Sequence, residues 1–417
     1  MQIKKPGLIP RYVQPIECVL QLEHSSKWPS DLEALCHIKT SFYLEISKML
    51  KKDHKIISHV TPDFIDVFFE GLVFRYRLSI PKEIALMKKM STETGLTCYR
   101  ESLESAHMET SLNIMPKVMG ALKGVQSLYP SYGPGTALIK RWLRSQLIDD
   151  YYFPDIVVNL LNASLYINNV FIQSNTPQMS FLKFLKFFSE FDWNLQTVLV
   201  NFNDDITNEE ISELESKLQQ NRAGYPPLYI IMPFDQGLSV FTKYVPTKEI
   251  LNRVKQLAKE SLNFVNNIII KQNCVGIKEL FIPNFDGYNV LIHLRPLLNP
   301  RRHEQILFTS PENRIVVEKY SPGNDDKLPI VDFNPVEKYL TTLRNNYGKY
   351  AIFFHDSFGG NTIAVLWNPK VFETVDFKVS RVNAGMLVDG KIVFNMEAVI
   401  EDFYILGKDL VKTIDKR

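Results

Sequence analysis

Residues 332–369 read DFNPVEKYLTTLRNNYGKYAIFFHDSFGGNTIAVLWNP, and this stretch decides how the last third of the chain folds. Asn334-Pro335 starts a helix, because proline is already set for a first helical turn. Two apolar runs follow, Ala351-Ile352-Phe353-Phe354 and Thr362-Ile363-Ala364-Val365-Leu366-Trp367, joined across Gly359-Gly360. Both are short, rich in β-branched and aromatic residues, and bounded by polar residues or glycine. They predict a hairpin of largely buried strands.

Around this hairpin the pattern stays mixed from about residue 271 onward. Strands are expected at 290–294, 314–317 and 391–394, helices at 335–345 and 397–411, and a turn or loop at 321–327. Upstream, residues 105–268 are chiefly helical. Leu112, Met115, Met119 and Leu122 begin that region, with Pro116 interrupting a helix or starting one. Helices are expected at 136–147 and at 154–167, the latter with a proline in its first turn. Another, at 176–191, carries Phe181, Phe184, Phe188 and Phe191 on one side. Thr207 and Glu210 form a capping box for a polar helix to about residue 221. Residues 199–202 and 228–232 read as short extended segments. A long helix over 247–267 buries Ile250, Val254, Leu257, Ala258 and Val265.

Near the start, Ser30-Asp31-Leu32-Glu33 reads as a capping box. The helix after it is expected to bury Leu35, Ile38, Phe42, Ile46 and Met49, with Lys39, Lys48, Lys51 and Lys52 off that stripe. Residues 64–69, a Glu70-Gly71 turn and residues 72–80 then predict an antiparallel hairpin. Helix followed by hairpin makes a small α/β unit. Residues 87–101 are polar without clear periodicity and mark a first boundary. The expected organisation is therefore α+β, with units over 1–98, 99–268 and 269–417.

Composition fits a folded protein of roughly two or three domains. The 417 residues are 45% hydrophobic and 23% charged, and the net charge of +2 argues neither for nor against a local basic face. Cys18, Cys36, Cys98 and Cys274 lack C-x-x-C spacing, which fits reduced thiols, with Cys36 expected in the core. Pro10, Arg11, Pro15 and Glu17 interrupt any signal-peptide core. The most apolar long stretch, 155–172, contains Asn159, Asn162, Asn168 and Asn169 and is too polar to span a bilayer. A soluble chain without a membrane anchor is expected.

Nucleotidyl transfer needs a Gly-Ser or Gly-Gly turn to hold the triphosphate, a D-x-D or D-x-E pair on the next strand, and a third carboxylate nearby. Two metal ions must bridge the phosphates and activate the attacking oxygen. The first unit has no such turn, and its one acidic pair at that spacing, Asp31/Glu33, lies at a helix cap. Asp66 is the best candidate for a surviving carboxylate, with Asp63 beside it. One carboxylate cannot hold two metals, so an edge or turn aspartate is the expectation. No D-x-D follows Gly359-Gly360, which reads as a structural turn. His355-Asp356 lacks a nucleophile or a G-x-S-x-G, and reads as a hairpin end. Neither H-E-x-x-H nor paired Cys/His spacing occurs, so no zinc site is expected. No cofactor and no small-molecule substrate are expected either.

Two basic clusters remain. Lys140, Arg141 and Arg144 lie on a helix whose other face carries Leu138, Ile139, Trp142 and Leu143; the patch reads as a solvated face, with an RNA-backbone contact as the alternative. Arg301 and Arg302, just after Pro300, are the second RNA-binding candidate. The Phe181 to Phe191 stripe reads as core rather than a stacking platform.

Beyond these local readings, the 332–369 stretch resembles the C-terminal domain of the Nrap family of nucleolar RNA-associated proteins. The likeness extends along the chain in order. Gly71-Leu72-Val73-Phe74-Arg75, after Ile65-Asp66-Val67, resembles the family's "DVLxDGFVFR" hairpin, and Leu138 to Trp142 its "RLxKRW" helix. Residues 180–185 with Phe191-Asp192-Trp193 resemble "GFLRFL…FDW", and residues 233–242 resemble "PxDxxxSxWT". Residues 288–292 resemble "YDVLI", and residues 395–403 resemble "NxEAILEDF". Asn289 stands for the family's Asp, Phe241 for its Trp, and Ala137-Leu138-Ile139 for an Arg-containing lead-in.

The resemblance implies a degenerate nucleotidyltransferase-like α/β unit, a helical poly(A) polymerase/oligoadenylate synthetase-like domain and a C-terminal α/β domain. It implies a catalytically dead scaffold in the nucleus and nucleolus, part of the small-subunit processome that matures 18S ribosomal RNA, with pre-rRNA and assembly factors as partners. It also implies a missing first unit, as in a fragment, a partial gene model or a shortened paralogue. A template-independent RNA nucleotidyltransferase using Asp63 and Asp66, and a purely protein-binding module, are the competing expectations.

Overall fold

The computed structural model describes residues 12–22, 27–91, 97–168, 176–235, 237–270, 276–304, 328–373, 375–376, 385–388 and 391–417. The chain opens with β1 (Tyr12–Val13), β2 (Ile16–Gln21), α1 (Leu32–Met49), β3 (Ile57–Val60), β4 (Ile65–Phe69), β5 (Leu72–Ser79), α2 (Pro81–Lys88), β6 (Lys89–Ser91) and β7 (Thr97–Tyr99). The main sheet runs β2-β5-β4-β3, with β2 parallel to β5 and the other pairs antiparallel. Glu70 and Gly71 take φ of 48° and 84°, the left-handed geometry of a two-residue turn that matches strand twist. That turn pairs Phe69 with Leu72 and so sets Asp66 opposite Arg75.

Four expectations for this unit change. Asp31 rather than Ser30 caps α1, its carboxylate accepting from the Ala34 amide at 2.8 Å. The buried stripe of α1 is Leu35, Lys39 and Tyr43, whereas Ile38, Phe42 and Met49 are exposed. The helix is rotated because its polar groups find partners inside. Lys39 Nζ sits 2.5 Å from Glu83 Oε1, and the Tyr43 hydroxyl donates to the Asp63 carbonyl while accepting from the Leu78 amide. A satisfied buried charge outranks an unsatisfied preference for apolar residues. The polar 87–101 stretch holds the end of α2 and the β6–β7 pair, and Cys36 is only half-buried.

The middle comprises α3 (Leu103–Glu109), α4 (Met115–Leu128), α5 (Tyr132–Ser145), α6 (Asp155–Ile167), α7 (Pro177–Glu190), α8 (Asn208–Gln220) and α9 (Lys248–Ile270). Two parallel two-residue strands, β8 (Val198–Leu199) and β9 (Ile230–Ile231), join them. Pro116 starts α4, Thr176 caps α7, and the Thr207/Glu210 capping box forms at α8. Phe181, Phe184 and Phe188 pack with Trp142, Phe153 and Val254 in one large core. Among the described residues no helix is long and apolar enough to cross a membrane.

The last third holds β10 (Val290–Leu294), β11 (Ile330–Val331), α10 (Pro335–Tyr347), β12 (Ala351–His355), β13 (Thr362–Trp367), β14 (Val375–Asp376), β15 (Gly385–Val388), β16 (Lys391–Phe394), α11 (Met396–Leu406) and β17 (Val411–Lys416). Its main sheet runs β12-β13-β10-β17, all antiparallel. Alternate residues explain the continuous apolar runs. Phe353, Ile363 and Val365 face α10 and α11, while Leu291, Phe354 and Ala364 join the core of the helical region. A sheet buried on both faces loses the polar half of its alternation.

The expected 397–411 helix stops at Leu406, and the chain returns as β17. Gly407 lies so close to Tyr339 and Val411 that a Cβ there would come within 2.5 Å of Val411 Cγ2. The expected strand 314–317, the loop 321–327 and Cys274 lie outside the described residues.

Candidate functional site

The cross-strand register of the β4–β5 hairpin determines what Asp66 can do. Asp66 is 3% exposed, and Arg75 grips it with both ends of its fork, Nε to Oδ1 at 2.8 Å and Nη2 to Oδ2 at 3.0 Å. The remaining Nη1 reaches Asp332 Oδ2 at 2.7 Å, and the guanidinium lies 3.8 Å from the centre of the Phe64 ring. The Asp66 hydrogen bond raises the Arg75 pKa, so the cation is permanent. Two carboxylates thus converge on a side-chain cation. A metal ion could reach Asp66 only by displacing a bidentate, buried guanidinium. Asp63 is exposed and points its backbone carbonyl, not its carboxylate, into the fold. Among the described residues no group of three or more His, Cys, Asp or Glu is arranged to hold a metal.

Arg75 has no role assigned from sequence, although the signal exists. A two-residue turn at Glu70-Gly71 fixes the register, and counting outward from it puts Asp66 opposite Arg75. The contribution of Asp332, distant in sequence, carries no such signal.

The basic helix, expected at 136–147, is α5 and begins at Tyr132. Its three cations have different fates. Arg144 is 1% exposed; its Nη1 donates to the carbonyls of Ile148 at 2.7 Å and Phe153 at 3.4 Å, and its Nη2 pairs with Asp150 and Asp155. It is the buried brace of the turn into α6, not a face turned to solvent. Burial lowers its pKa while the surrounding aspartates oppose that fall. Lys140 is largely covered and sits 3.2 Å from Asp155. Arg141 crosses to the C-terminal region, donating to the carbonyls of Phe358 and Glu304.

The second basic cluster lies beside the first. Arg301 forms a two-point ion pair with Glu304, and its guanidinium lies 4.7 Å from the Phe358 ring centre. Arg141 lies 5.2 Å from that same ring. Segments 160 residues apart therefore meet at Phe358, in the β12–β13 loop. Arg302 is half-buried and donates to the Asn299 carbonyl at 3.2 Å. In the same loop the buried His355 donates from Nε2 to the Gly360 carbonyl at 2.9 Å, and Asp356 accepts from the Phe358 amide. Burial pushes the His355 pKa down, so the ring is neutral, and both residues hold the loop shape.

Arg344 completes the contact between helical and C-terminal regions. It reaches Asp149 Oδ2 at 2.5 Å and the Phe353 carbonyl at 2.8 Å, and stacks over Tyr151 and Tyr152.

Comparison with known proteins gives one consistent result. A family model described as Nrap protein nucleotidyltransferase domain 4 matches residues 1–127. One described as Nrap protein PAP/OAS1-like domain 5 matches residues 129–283, and one described as Nrap protein domain 6 matches residues 285–414. The curated protein called nucleolar protein 6 of Mus musculus is 34% identical over 414 residues, covering 98% of this chain and 36% of its own length. The Homo sapiens protein of the same name is 34% identical over 415 residues with the same coverage. The chain thus spans about a third of these relatives. A solved E. coli CdnC:HORMA-deltaN complex aligns with a TM-score of 0.38 at 14% identity, over 64% of this chain and 74% of that one, a likeness too distant to bear on the fold.

Proposed function

Since the chain belongs to the Nrap family, we propose that it is a non-catalytic, nucleolar scaffold segment of ribosome assembly that binds pre-rRNA and assembly factors of the small-subunit processome. The observation that carries this reading is the Asp66–Arg75–Asp332 bridge. Asp66, the best sequence candidate for a surviving metal-binding carboxylate, is instead held by Arg75, which also reaches Asp332. The name shared by its relatives supports the nucleolar assignment. Stable association of the tagged chain with small-subunit precursors tests it. A chain found outside the nucleolus and bound to no precursor contradicts it.

Within this reading, RNA contact is assigned to the surface around Phe358, where Arg141 and Arg301 meet, with Lys140, Arg144 and Arg302 as the further candidates. Guanidinium groups that spend some N–H donors on carbonyls keep others for phosphate. Measuring RNA affinity against salt for Lys140→Ala and Arg302→Ala checks it: each lost phosphate contact should reduce the log–log slope by about 0.7 for single strands. Unchanged slopes favour the purely protein-binding reading, which the internal use of Arg141 and Arg144 also supports.

A further inference from the structure

The sheet of the first unit is not fully roofed by α1. Near the end of that helix lies a cavity of about 420 Å³, walled by Leu20, Ile46, Leu50, Ile56, Phe69 and Phe74 and by neighbouring side chains among which only Tyr76 carries a polar group. Its size falls within the roughly 300–1,000 Å³ typical of binding sites. Phe69 is 48% exposed, so the apolar surface continues out over the lip. A cavity and an exposed aromatic ring that form one continuous apolar surface suit the docking of another molecule.

The lip is charged, and with one sign in excess. Leu50 and Ile56 both wall the cavity, and the five residues between them read Lys51-Lys52-Asp53-His54-Lys55. All five are exposed, and among the described residues Lys51, Lys52 and Lys55 form no ion pair. Lys48, one turn earlier, is already matched by Glu45 at 3.4 Å. Asp53 and, beside Phe69, Glu70 are the opposing charges, which leaves lysine in excess.

We propose that this cavity docks an acidic segment of a partner protein, which inserts large apolar side chains and sets Asp or Glu residues against Lys51, Lys52 and Lys55. Apolar anchors filling a desolvated pocket supply affinity, and the lysine lip selects the partner by charge and speeds encounter. A fatty acid would offer the three lysines a single carboxylate, whereas an acidic peptide can meet each of them. A nucleic acid would bring phosphates to the lysines but no flexible aliphatic side chains to fill the Leu and Ile walls. The inference rests on local geometry and stands apart from the nucleolar reading.

Selection of a displayed library of random 15-residue peptides on the intact chain, followed by fluorescence anisotropy, tests it. Enriched peptides should pair apolar residues with flanking Asp or Glu. They should bind at least about tenfold more weakly to the triple variant Lys51→Glu/Lys52→Glu/Lys55→Glu and to Phe69→Ser, changes at exposed or half-exposed positions that leave the fold intact by circular dichroism. Peptides without acidic bias, or equal binding to the charge-reversed variant, would overturn the proposal. So would failure to enrich any peptide, and saturable binding of oleate in that case would identify a lipid site instead.

Discussion

Arg75→Met separates a structural role for Asp66 from a catalytic one, because it removes the cation and leaves the carboxylate buried. Asp66 is 3% exposed, and both its oxygens bond Arg75. Stripping one partner from such a pair costs about 3–5 kcal/mol, far more than the pair itself contributes. The Asp332 arm is different: its side chain is 52% exposed, so losing it costs about 0–1 kcal/mol. Because the chain has several cores, a single global unfolding energy is not well defined. Hydrogen exchange of the β4 and β5 amides reads the local opening instead. Arg75→Met should speed their exchange about 10²- to 10⁴-fold, and Asp332→Asn by less than about tenfold. The double variant Asp66→Leu/Arg75→Met should return to within about tenfold of the parent, since two apolar groups leave no orphan charge. A loss below tenfold in Arg75→Met, or an Asp332→Asn effect of equal size, would refute this reasoning.

Three further outcomes are expected. Lys39→Met strands Glu83, whose Oε2 already lacks a partner, so β5–α2 amides should lose about 3–5 kcal/mol of protection, recovered by adding Glu83→Leu. Arg344→Ala leaves Asp149 buried without its cation and frees the Phe353 carbonyl, so limited proteolysis should cut the β12–β13 loop much faster while sparing α7. Burial lifts the Asp235 carboxyl to about 6, against the amides of Gly237 and Val240 that bond its charged form. The folded chain therefore holds this proton more tightly than the unfolded chain does, and stability present below about pH 4 is lost as pH rises through 6, by about 3 kcal/mol. Exchange protection of the β9 amides in the parent relative to Asp235→Asn should fall between pH 4 and pH 7; a constant difference contradicts this.

Much of the fold was legible because local signals and packing agree. Thr176 and Thr207 cap the helices that their sequences announce, and Glu70-Gly71 makes the turn its residues require. The apolar runs of β12 and β13 read as buried strands because both their faces are covered. What failed depends on partners far away in sequence. The rotation of α1 is decided by Glu83, 44 residues beyond Lys39. The loss of the last helical turns is decided by Tyr339 and by the open edge of β10 waiting for β17. At the candidate sites, residue type singled out Asp66 and the arginines but not what each of them pairs with. Whether a cation faces solvent or carbonyls is set by the tertiary contact, so neither the burial of Arg144 nor the meeting of Arg141 with Arg301 could be read from spacing.

The central claim is that Asp66 serves as an anion for Arg75 and not as a metal ligand. Incubating the purified chain with labelled nucleoside triphosphates, an RNA primer and Mg²⁺ or Mn²⁺ tests it most directly. No primer extension above a protein-free control is the predicted result, for the parent and for Asp66→Ala alike. A tail added by the parent and abolished in Asp66→Ala would contradict the account.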